Sequence, residues 1–458
     1  MVFTHPKAHL LRLLTAAAIA VVVCPFWVAF ANDQPYAGTE IVVADITRGT
    51  SNAVRPFIRE FEEATGITVR FEQYPAGDLF QRVLLDVEAR TGNYDVMYLS
   101  PSWMGALVEG DHLVALDDLI AEHGIGLDDF MPIGLDLVRY HDREGLWAMP
   151  YLLTVHVLVY RADLFEDQDE QAAFLSRFGY ELKPPETMAQ LLDVAEFFTR
   201  DLDGNGQNDL FGFAEPQKAH FQAWDWAQHL IWSFGGEVLD PDLNVILNSD
   251  ESVRAFEFGL RLQQFQPSAV LGWESEHRAL FEDGRLVMMR AWNEVADAMN
   301  NPGASAVAGN VGFTTLPRFE GNELGLVAGQ SRIGGGGLAI LSGSRNQGAA
   351  FEYLKWISSP EMGRRLYREG GSIVRISVFD DPDLRALRPW LEDLFPVTQA
   401  ALLHTAKHRV TLPESFAIEE EIGQAWVSFV RGNASAEEAL QTAHRNIERI
   451  MRDAGYYD

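Results

Sequence analysis

Cysteine is almost absent from this chain of 458 residues, in which Cys24 is the single example. It lies within an apolar segment from Leu13 to Phe30 that follows a weakly basic start and runs into Ala29-Phe30-Ala31. This pattern predicts a cleaved signal peptide over residues 1–31 and a periplasmic protein, with an uncleaved membrane anchor as the alternative. The mature chain would then contain no cysteine, which excludes disulfides, thiol catalysis and cysteine-ligated metals.

Positive charge is also scarce, because 36 Lys and Arg stand against 66 Asp and Glu, for a net charge of −30. Such a chain repels phosphate backbones and anionic lipid, so nucleic-acid binding and membrane-surface roles are disfavoured. No later apolar stretch is long enough to span a membrane. The length exceeds what one hydrophobic core usually serves, which predicts two lobes.

The first hundred residues after residue 31 alternate between strand and helix patterns. Strands are predicted at 40–44, 67–71 and 94–99, with helices at 54–64 and 79–89 between them. Strand, helix, strand, helix, strand in this order predicts a parallel, doubly wound α/β sheet. The later run Tyr151 to Tyr160 is apolar almost throughout, which is typical of a strand covered on both faces in the middle of such a sheet.

Seven segments, in chain order, match motifs of one protein family. They are Phe61 to Val69, Gly92-Asn93-Tyr94-Asp95-Val96, Gly145 to Phe165, Pro184 to Leu191, Phe281 to Met289, Ala349 to Glu361 and Gly432 to Leu440. Together they resemble the extracellular solute-binding proteins of bacterial ABC importers, in the maltose- and polyol-binding branch. Met188 departs from the pattern, because this family usually has Trp at that position.

The resemblance implies a fold and a function. The fold would be the two-lobe periplasmic binding protein fold, an α/β fold in which each lobe is a mainly parallel sheet flanked by helices. Lobe one would comprise residues 38–150 and 333–372, and lobe two residues 151–332 and 373–458. The protein would be a monomer without catalytic residues or a required cofactor. It would capture a sugar, oligosaccharide or polyol between its lobes and deliver it to a membrane permease.

Candidate ligand-binding residues of lobe one follow the carboxyl ends of its strands, where doubly wound sheets bind ligands. Ser102 has an alternative role as a helix N-cap, and Trp103 has one as a core residue. The candidates in this lobe are Thr47, Arg48, Tyr74, Ser100, Ser102 and Trp103.

Lobe two is rich in aromatic residues, whose rings can stack on the C–H face of a sugar. Most of these rings are expected in the core and one or two in the cleft. Trp292 is the favoured stacking residue, because the segment that it ends resembles the strand that carries a ligand-stacking Trp in sugar-binding relatives. The candidates in this lobe are His220, Phe221, Trp224 and Trp292, with Asp225 and Asn293 as hydroxyl partners.

The predicted crossings between the lobes supply further candidates, namely Thr154, Arg332, Gly334 and Gly335. The glycine run that begins at Gly334 lacks the Gly-Lys-Ser/Thr of a phosphate loop, so a hinge or a close backbone approach to a sugar explains it better. Arg48, Arg332 and Arg375 are compatible with an acidic sugar as the ligand. Surface ion pairs are the alternative role of these arginines.

One loop has oxygen-bearing residues at the spacing of a calcium loop, with glycine at position six. They are Asp201, Asp203, Asn205, Gln207 and Asp209. Gly212 stands where the twelfth-position carboxylate is expected, so a structural calcium would need a ligand from elsewhere. The alternative is a turn stabilised by its own side-chain hydrogen bonds.

Three further functions stay open from the residues alone. A secreted carbohydrate-active enzyme could bring paired carboxylates together in space, although the motifs of serine hydrolases and zinc proteases are missing. The ligand could be a solute other than a sugar. The protein could also be a sensor that presents its closed form to a membrane receptor.

Overall fold

A computed structural model describes residues 34–140, 143–215, 221–267, 274–321 and 328–457. The strands in these ranges are β1 (Glu40–Ile46), β2 (Thr68–Tyr74), β3 (Val96–Leu99), β4 (Arg139–Tyr140), β5 (Arg143–Leu146), β6 (Met149–Arg161), β7 (Phe211–Ala214), β8 (Leu286–Trp292), β9 (Val311–Thr314), β10 (Ser331–Ile340) and β11 (Ala406–Lys407). The α-helices there are α1 (Gly49–Val54), α2 (Ile58–Thr65), α3 (Ala76–Ala89), α4 (Met104–Glu109), α5 (Asp117–Glu122), α6 (Pro132–Asp136), α7 (Ala162–Glu166), α8 (Gln168–Phe178), α9 (Met188–Phe198), α10 (Phe221–Ser233), α11 (Asp250–Leu262), α12 (Glu274–Glu282), α13 (Ala296–Met299), α14 (Gln347–Ile357), α15 (Pro360–Arg368), α16 (Ile376–Phe379), α17 (Pro382–Arg385), α18 (Leu391–Ala400), α19 (Ser415–Val430) and α20 (Ala436–Asp453).

The first strands and helices confirm the predicted α/β alternation. β1 pairs in parallel with both β2 and β3, and α2 ends at Gly66, whose φ of 72° is the left-handed conformation that glycine adopts without strain. The predicted helix 54–64 is interrupted, because Pro56 lacks the N–H that a continuous helix would use. The chain forms a 3-10 turn at Arg55–Phe57 instead, between α1 and α2.

Two long strands connect the halves of the sheet. Its order among the described residues is β2-β1-β3-β10-β6-β8-β7, with β11 beside β10 and β9 beside β6. The first half of β6 pairs with β10, and its second half pairs with β8 and β9. β6 is buried from Met149 to Val159, as the apolar run predicted for a strand in the middle of the sheet.

The hydrophobic core has two parts. One contains β1, β3 and the helices around them, and the other contains α10, α11, α19 and α20 on the opposite side of β8. α16 to α18 contribute Val378, Leu384 and Phe395 to the first part, together with residues of predicted lobe one. The exact division into lobes stays a prediction, and its first two crossings fall within β6 and β10. No helix in the described ranges combines the length and apolar character that a membrane crossing requires.

Candidate functional site

A cleft of about 530 Å³ opens where β1, β3 and β8 end beside the paired strands β6 and β10. It is lined by residues from both predicted lobes. They are Ile46, Arg48, Ala76, Gly77, Phe80, Gln81, Tyr98, Ser100, Pro101, Ser102, Trp103, Leu137, Thr154, Trp292, Arg332, Ile333, Gly334, Gly335, Arg409 and Phe416. Nine of the sixteen ligand-binding candidates are among them, four of which (Arg48, Ser100, Ser102 and Trp103) came from the carboxyl-end rule. Their role in ligand binding stays a prediction.

One wall follows β3 and combines hydroxyl groups with aromatic rings. The hydroxyl groups of Ser100 and Ser102 lie 2.9 Å apart, and neither caps the following helix with a side-chain hydrogen bond. Trp103 is only 5% exposed and stacks on Phe80, with ring centroids 5.2 Å apart and planes 20° apart. Trp103 is therefore both a core residue and part of the cleft wall.

The base of the cleft is formed by Trp292, Thr154 and the glycine run of β10. A Cβ atom on Gly334 would lie 2.7 Å from the Thr154 hydroxyl and 2.8 Å from the Trp292 indole, so only glycine lets these groups approach. Gly335 has a φ of 128° and lies against the Leu152 carbonyl. The glycine run is part of an extended strand and does not form a phosphate loop. The Thr154 oxygen is buried and has no hydrogen-bond partner among the described residues.

Three arginines line the cleft, and Arg409 was missed by the sequence analysis. Arg48 forms an ion pair of 2.8 Å with Glu294, which joins predicted lobe one to predicted lobe two. Arg409 lies in the loop between β11 and α19, which carries no local pattern that marks a ligand site. Arg375 lies away from the cleft, where it contacts Asp129 and covers the Phe130 ring at 3.8 Å.

A buried ionic network lies behind the base of the cleft. Asp225 on α10 is only 4% exposed and accepts hydrogen bonds from Arg290 at 2.9 Å and Arg332 at 3.0 Å. Burial alone would raise the pKa of Asp225, but the two guanidiniums outweigh it and hold the pKa far below its usual value. Burial, with Arg290 as the next cause, lowers the pKa of His156, so this neutral ring accepts from Arg290 at 2.6 Å.

A second ion pair adjoins this network. Arg409 contacts Glu419 on α19, and burial raises the pKa of Glu419 to about 7 although Arg409 opposes the shift. The Trp224 ring lies between two guanidiniums, with Arg332 at 4.7 Å and Arg409 at 5.2 Å from its centroid. Asp225 and Trp224 are thus placed behind the cleft lining, where they position arginines and do not line the cavity.

The other candidates that the structure describes lie outside the cleft lining. The Thr47 backbone N–H donates to the Tyr74 carbonyl, and the Tyr74 ring lies under Arg82 at 4.6 Å. Asn293 accepts from the Val155 N–H at 2.9 Å and lines a small adjoining cavity of about 60 Å³. His220 and the Phe221 side chain fall outside the described residues, as does the predicted signal peptide.

The Asp/Asn/Gly-rich loop brings three carboxylates together. Oxygens of Asp201, Asp203 and Asp209 all lie within 4.8 Å of one another. Asp201 also accepts backbone hydrogen bonds from Gly204 and Gly206, and the Gly206 bond is the main cause of its lowered pKa. These bonds are those of the self-stabilised turn, and calcium binding stays a prediction.

Calcium is expected to stabilise the protein through this loop. At about 10 mM, an ion with the millimolar affinity of many extracellular sites would add roughly 1.4 kcal/mol to the free energy of unfolding. Differential scanning calorimetry of the wild type and Asp209→Asn, with and without CaCl₂, would measure the effect. Equal shifts in the two proteins, or none in either, would contradict a site here.

A cleft between two halves of an α/β sheet, joined by crossing strands, is the arrangement of a binding protein for a small solute. The model of the family "Bacterial extracellular solute-binding protein" matches residues 44–364, so the chain belongs to this family. The family binds solutes for transport and does not transform them, and this chain is accordingly a solute-binding protein and not an enzyme.

Known proteins resemble the chain over nearly its whole length. A mannitol-binding protein of Pseudomonas aeruginosa is 25% identical, over 91% of this chain and 94% of its own. A probable amino-acid ABC transporter periplasmic-binding protein of Sinorhizobium fredii is 23% identical, over 93% and 94%. The crystal structure of an ABC transporter solute-binding protein from Agrobacterium radiobacter K84 with ribitol is 25% identical, with a TM-score of 0.73, over 91% of this chain and 99% of that one. The two-lobe α/β fold predicted from the sequence is thereby confirmed.

Proposed function

We propose that this protein captures a polyol or small sugar in the cleft and delivers it to the permease of an ABC importer. The observation that carries the proposal is the composition of the cleft, in which Trp292 and Trp103 offer rings while Ser100, Ser102 and Thr154 offer hydroxyl groups. Rings match the C–H face of a polyhydroxy compound, and polar groups match its hydroxyls. Relatives of similar length bind mannitol and ribitol.

The mechanism is closure of two lobes around the ligand. Cleft residues come from both sides of the crossing strands, so a ligand that contacts both sides stabilises the closed form more than the open one. The Arg48–Glu294 ion pair already links the two sides at one edge of the cleft. The permease would recognise the closed form, and a separate subunit would hydrolyse ATP.

The proposed setting is the periplasm, reached with a signal peptide that is removed after residue 31. The mature protein would act as a monomer, since one chain supplies both sides of the cleft. Membership of the extracellular family supports the location.

A thermal-shift screen of the mature protein against polyols, sugars and amino acids tests this function, because a ligand bound only by the folded state raises the melting temperature. A shift with a polyol or sugar, without turnover of the compound, is the expected result. If only amino acids raise the melting temperature, the protein is still a solute-binding protein, but its ligand is not a polyol or sugar. Absence of any shift would overturn the receptor function.

Replacement of Trp292 by Ala is expected to weaken the binding of that ligand about five- to thirtyfold. The indole forms the base of the cleft, and its ring centroid lies 3.7 Å from that of His156. This contact holds the indole in place. Loss of an aromatic contact with a ligand face costs about 1–2 kcal/mol. Isothermal titration calorimetry would measure the effect.

The matched control is Trp356→Ala, because Trp356 is also a half-buried Trp but packs on Phe61 away from the cleft. Its affinity should equal that of the wild type, and Trp292→Phe should recover part of the loss. Equal affinities in Trp292→Ala and the control would remove Trp292 from the binding site.

A further inference from the structure

The inner surface of the cleft is cationic although the chain is strongly acidic. Arg48, Arg332 and Arg409 line it, and no Asp or Glu does so within residues 34–140, 143–215, 221–267, 274–321 and 328–457. The whole chain has a net charge of −30. A positively charged cluster in a strongly acidic protein indicates a negatively charged ligand.

The counter-charges of these arginines lie outside the cleft lining. Arg332 bonds to Asp225, Arg409 to Glu419 and Arg48 to Glu294. None of the three carboxylates lines the cleft, whereas all three arginines do. The ion pairs therefore hold the arginines in place, with Asp225 and Glu419 buried behind the lining and Glu294 in the adjoining small cavity.

Arginine offers hydrogen-bond donors and no acceptor. A neutral polyol hydroxyl both donates and accepts, and the side-chain acceptors in the described lining are the hydroxyls of Tyr98, Ser100, Ser102 and Thr154 and the amide of Gln81. A carboxylate or phosphate only accepts, and its hydrogen bonds with guanidinium are charge-assisted. The Nε atom of Arg409 is buried without a hydrogen-bond partner among the described residues.

We propose that the preferred ligand is a polyhydroxy compound with an anionic group, either a carboxylate as in aldonic acids or a phosphate ester as in polyol phosphates. The proposal rests on the proposed function and specifies the class of its ligand. The hydroxyl chain would lie along Trp292 and the Ser100–Ser102 wall, and the anion would lie at the arginines. An amino acid fits less well, since its ammonium group would meet no carboxylate in the described lining.

Calorimetric titration with three compounds of one carbon skeleton tests the proposal, namely D-glucitol, D-gluconate and D-glucitol 6-phosphate. At least one anion should bind about tenfold more tightly than D-glucitol, because its hydrogen bonds with guanidinium are charge-assisted. Added salt should weaken binding of the anion but not of D-glucitol. Comparison of the affinities for D-gluconate and D-glucitol 6-phosphate shows whether the preferred anionic group is a carboxylate or a phosphate.

Substitution of Arg48 tests the role of the cluster with little risk to the fold, because its side chain is one-third exposed. Arg48→Gln should lower the ratio of the affinity for the anion to the affinity for D-glucitol about tenfold. Glu294→Gln removes the competing carboxylate and breaks the same ion pair, so it should keep or raise affinity for the anion. The matched control, Arg364→Gln, removes an arginine of similar exposure that pairs with Asp381 outside the cleft, and should change neither affinity.

Each result decides between the two proposals. Equal or tighter binding of D-glucitol than of both anions overturns the anionic ligand and keeps the polyol receptor. If Arg48→Gln and Glu294→Gln weaken binding of the anion equally, Arg48 acts in the link between the lobes. That result overturns its role in binding the anion. No binding of any sugar, polyol or anion by the folded protein overturns the proposed function as well.

Discussion

Asp225→Ala is expected to lower the free energy of unfolding by about 3–5 kcal/mol, the usual cost of removing one partner from a buried ion pair. Asp225 is the shared acceptor of Arg290 and Arg332, so its loss leaves two buried guanidiniums with a missing counter-charge. Because the folded-state pKa of Asp225 is depressed, its contribution is present above its ordinary pKa and is lost as pH falls towards the lowered value. Urea denaturation at neutral pH measures the loss.

Asp381→Ala is the matched control for this loss. Asp381 also accepts from an arginine, Arg364, at 2.7 Å, but the guanidinium is more than one-third exposed and water replaces the lost partner. Surface ion pairs contribute about 0–1 kcal/mol, and the N-cap that Asp381 supplies to α17 adds about 0.5–2 kcal/mol. A loss in Asp225→Ala no larger than in Asp381→Ala would mean that the buried network is not a main source of stability.

Asp45→Asn is expected to stabilise the protein above neutral pH, because Asp45 is a fully buried acid. Burial raises its pKa to about 7, although hydrogen bonds from Tyr151 at 3.0 Å and the Ile46 N–H at 2.7 Å oppose the shift. The unfolded chain therefore releases this proton first as pH rises. The stability that protonated Asp45 contributes is complete below about pH 4 and is lost between about pH 4 and pH 7.

The amide that replaces the carboxyl group in Asp45→Asn would stay neutral at every pH. The free energy of unfolding of the variant relative to the wild type should therefore increase between about pH 4 and pH 7. A pKa raised by about three units corresponds to roughly 4 kcal/mol at most. Urea midpoints at a series of pH values measure the difference, with the exposed Asp118→Asn as control. A difference that is constant between pH 4 and pH 8 would show that Asp45 is charged in the folded protein.

Much of the fold could be predicted because its signals are local. A short apolar run marked β1, alternating apolar residues marked β2, and Gly66 marked the end of α2. The strand ends then indicated Ser100, Ser102 and Trp103 as cleft residues, since parallel strands end at one edge of the sheet. These predictions needed only short segments and a rule about sheets.

The rest of the site depends on contacts between distant segments. Asp225 follows Trp224 on a helix, and nothing in that segment shows that its carboxylate meets Arg290 of β8 and Arg332 of β10. Arg409 and Phe416 reach the cleft from a C-terminal segment whose local sequence resembles an ordinary loop and helix start. Pairing of charges in the core is decided by tertiary packing, which periodicity does not encode.

Small-angle X-ray scattering of the mature protein, with and without the compound that gives the largest thermal shift, tests the central claim most directly. Closure of two lobes around a solute predicts a smaller radius of gyration with ligand, at unchanged mass. Trp292→Ala should require more ligand for the same change. An unchanged radius at saturating ligand would contradict closure as the signal that the permease recognises.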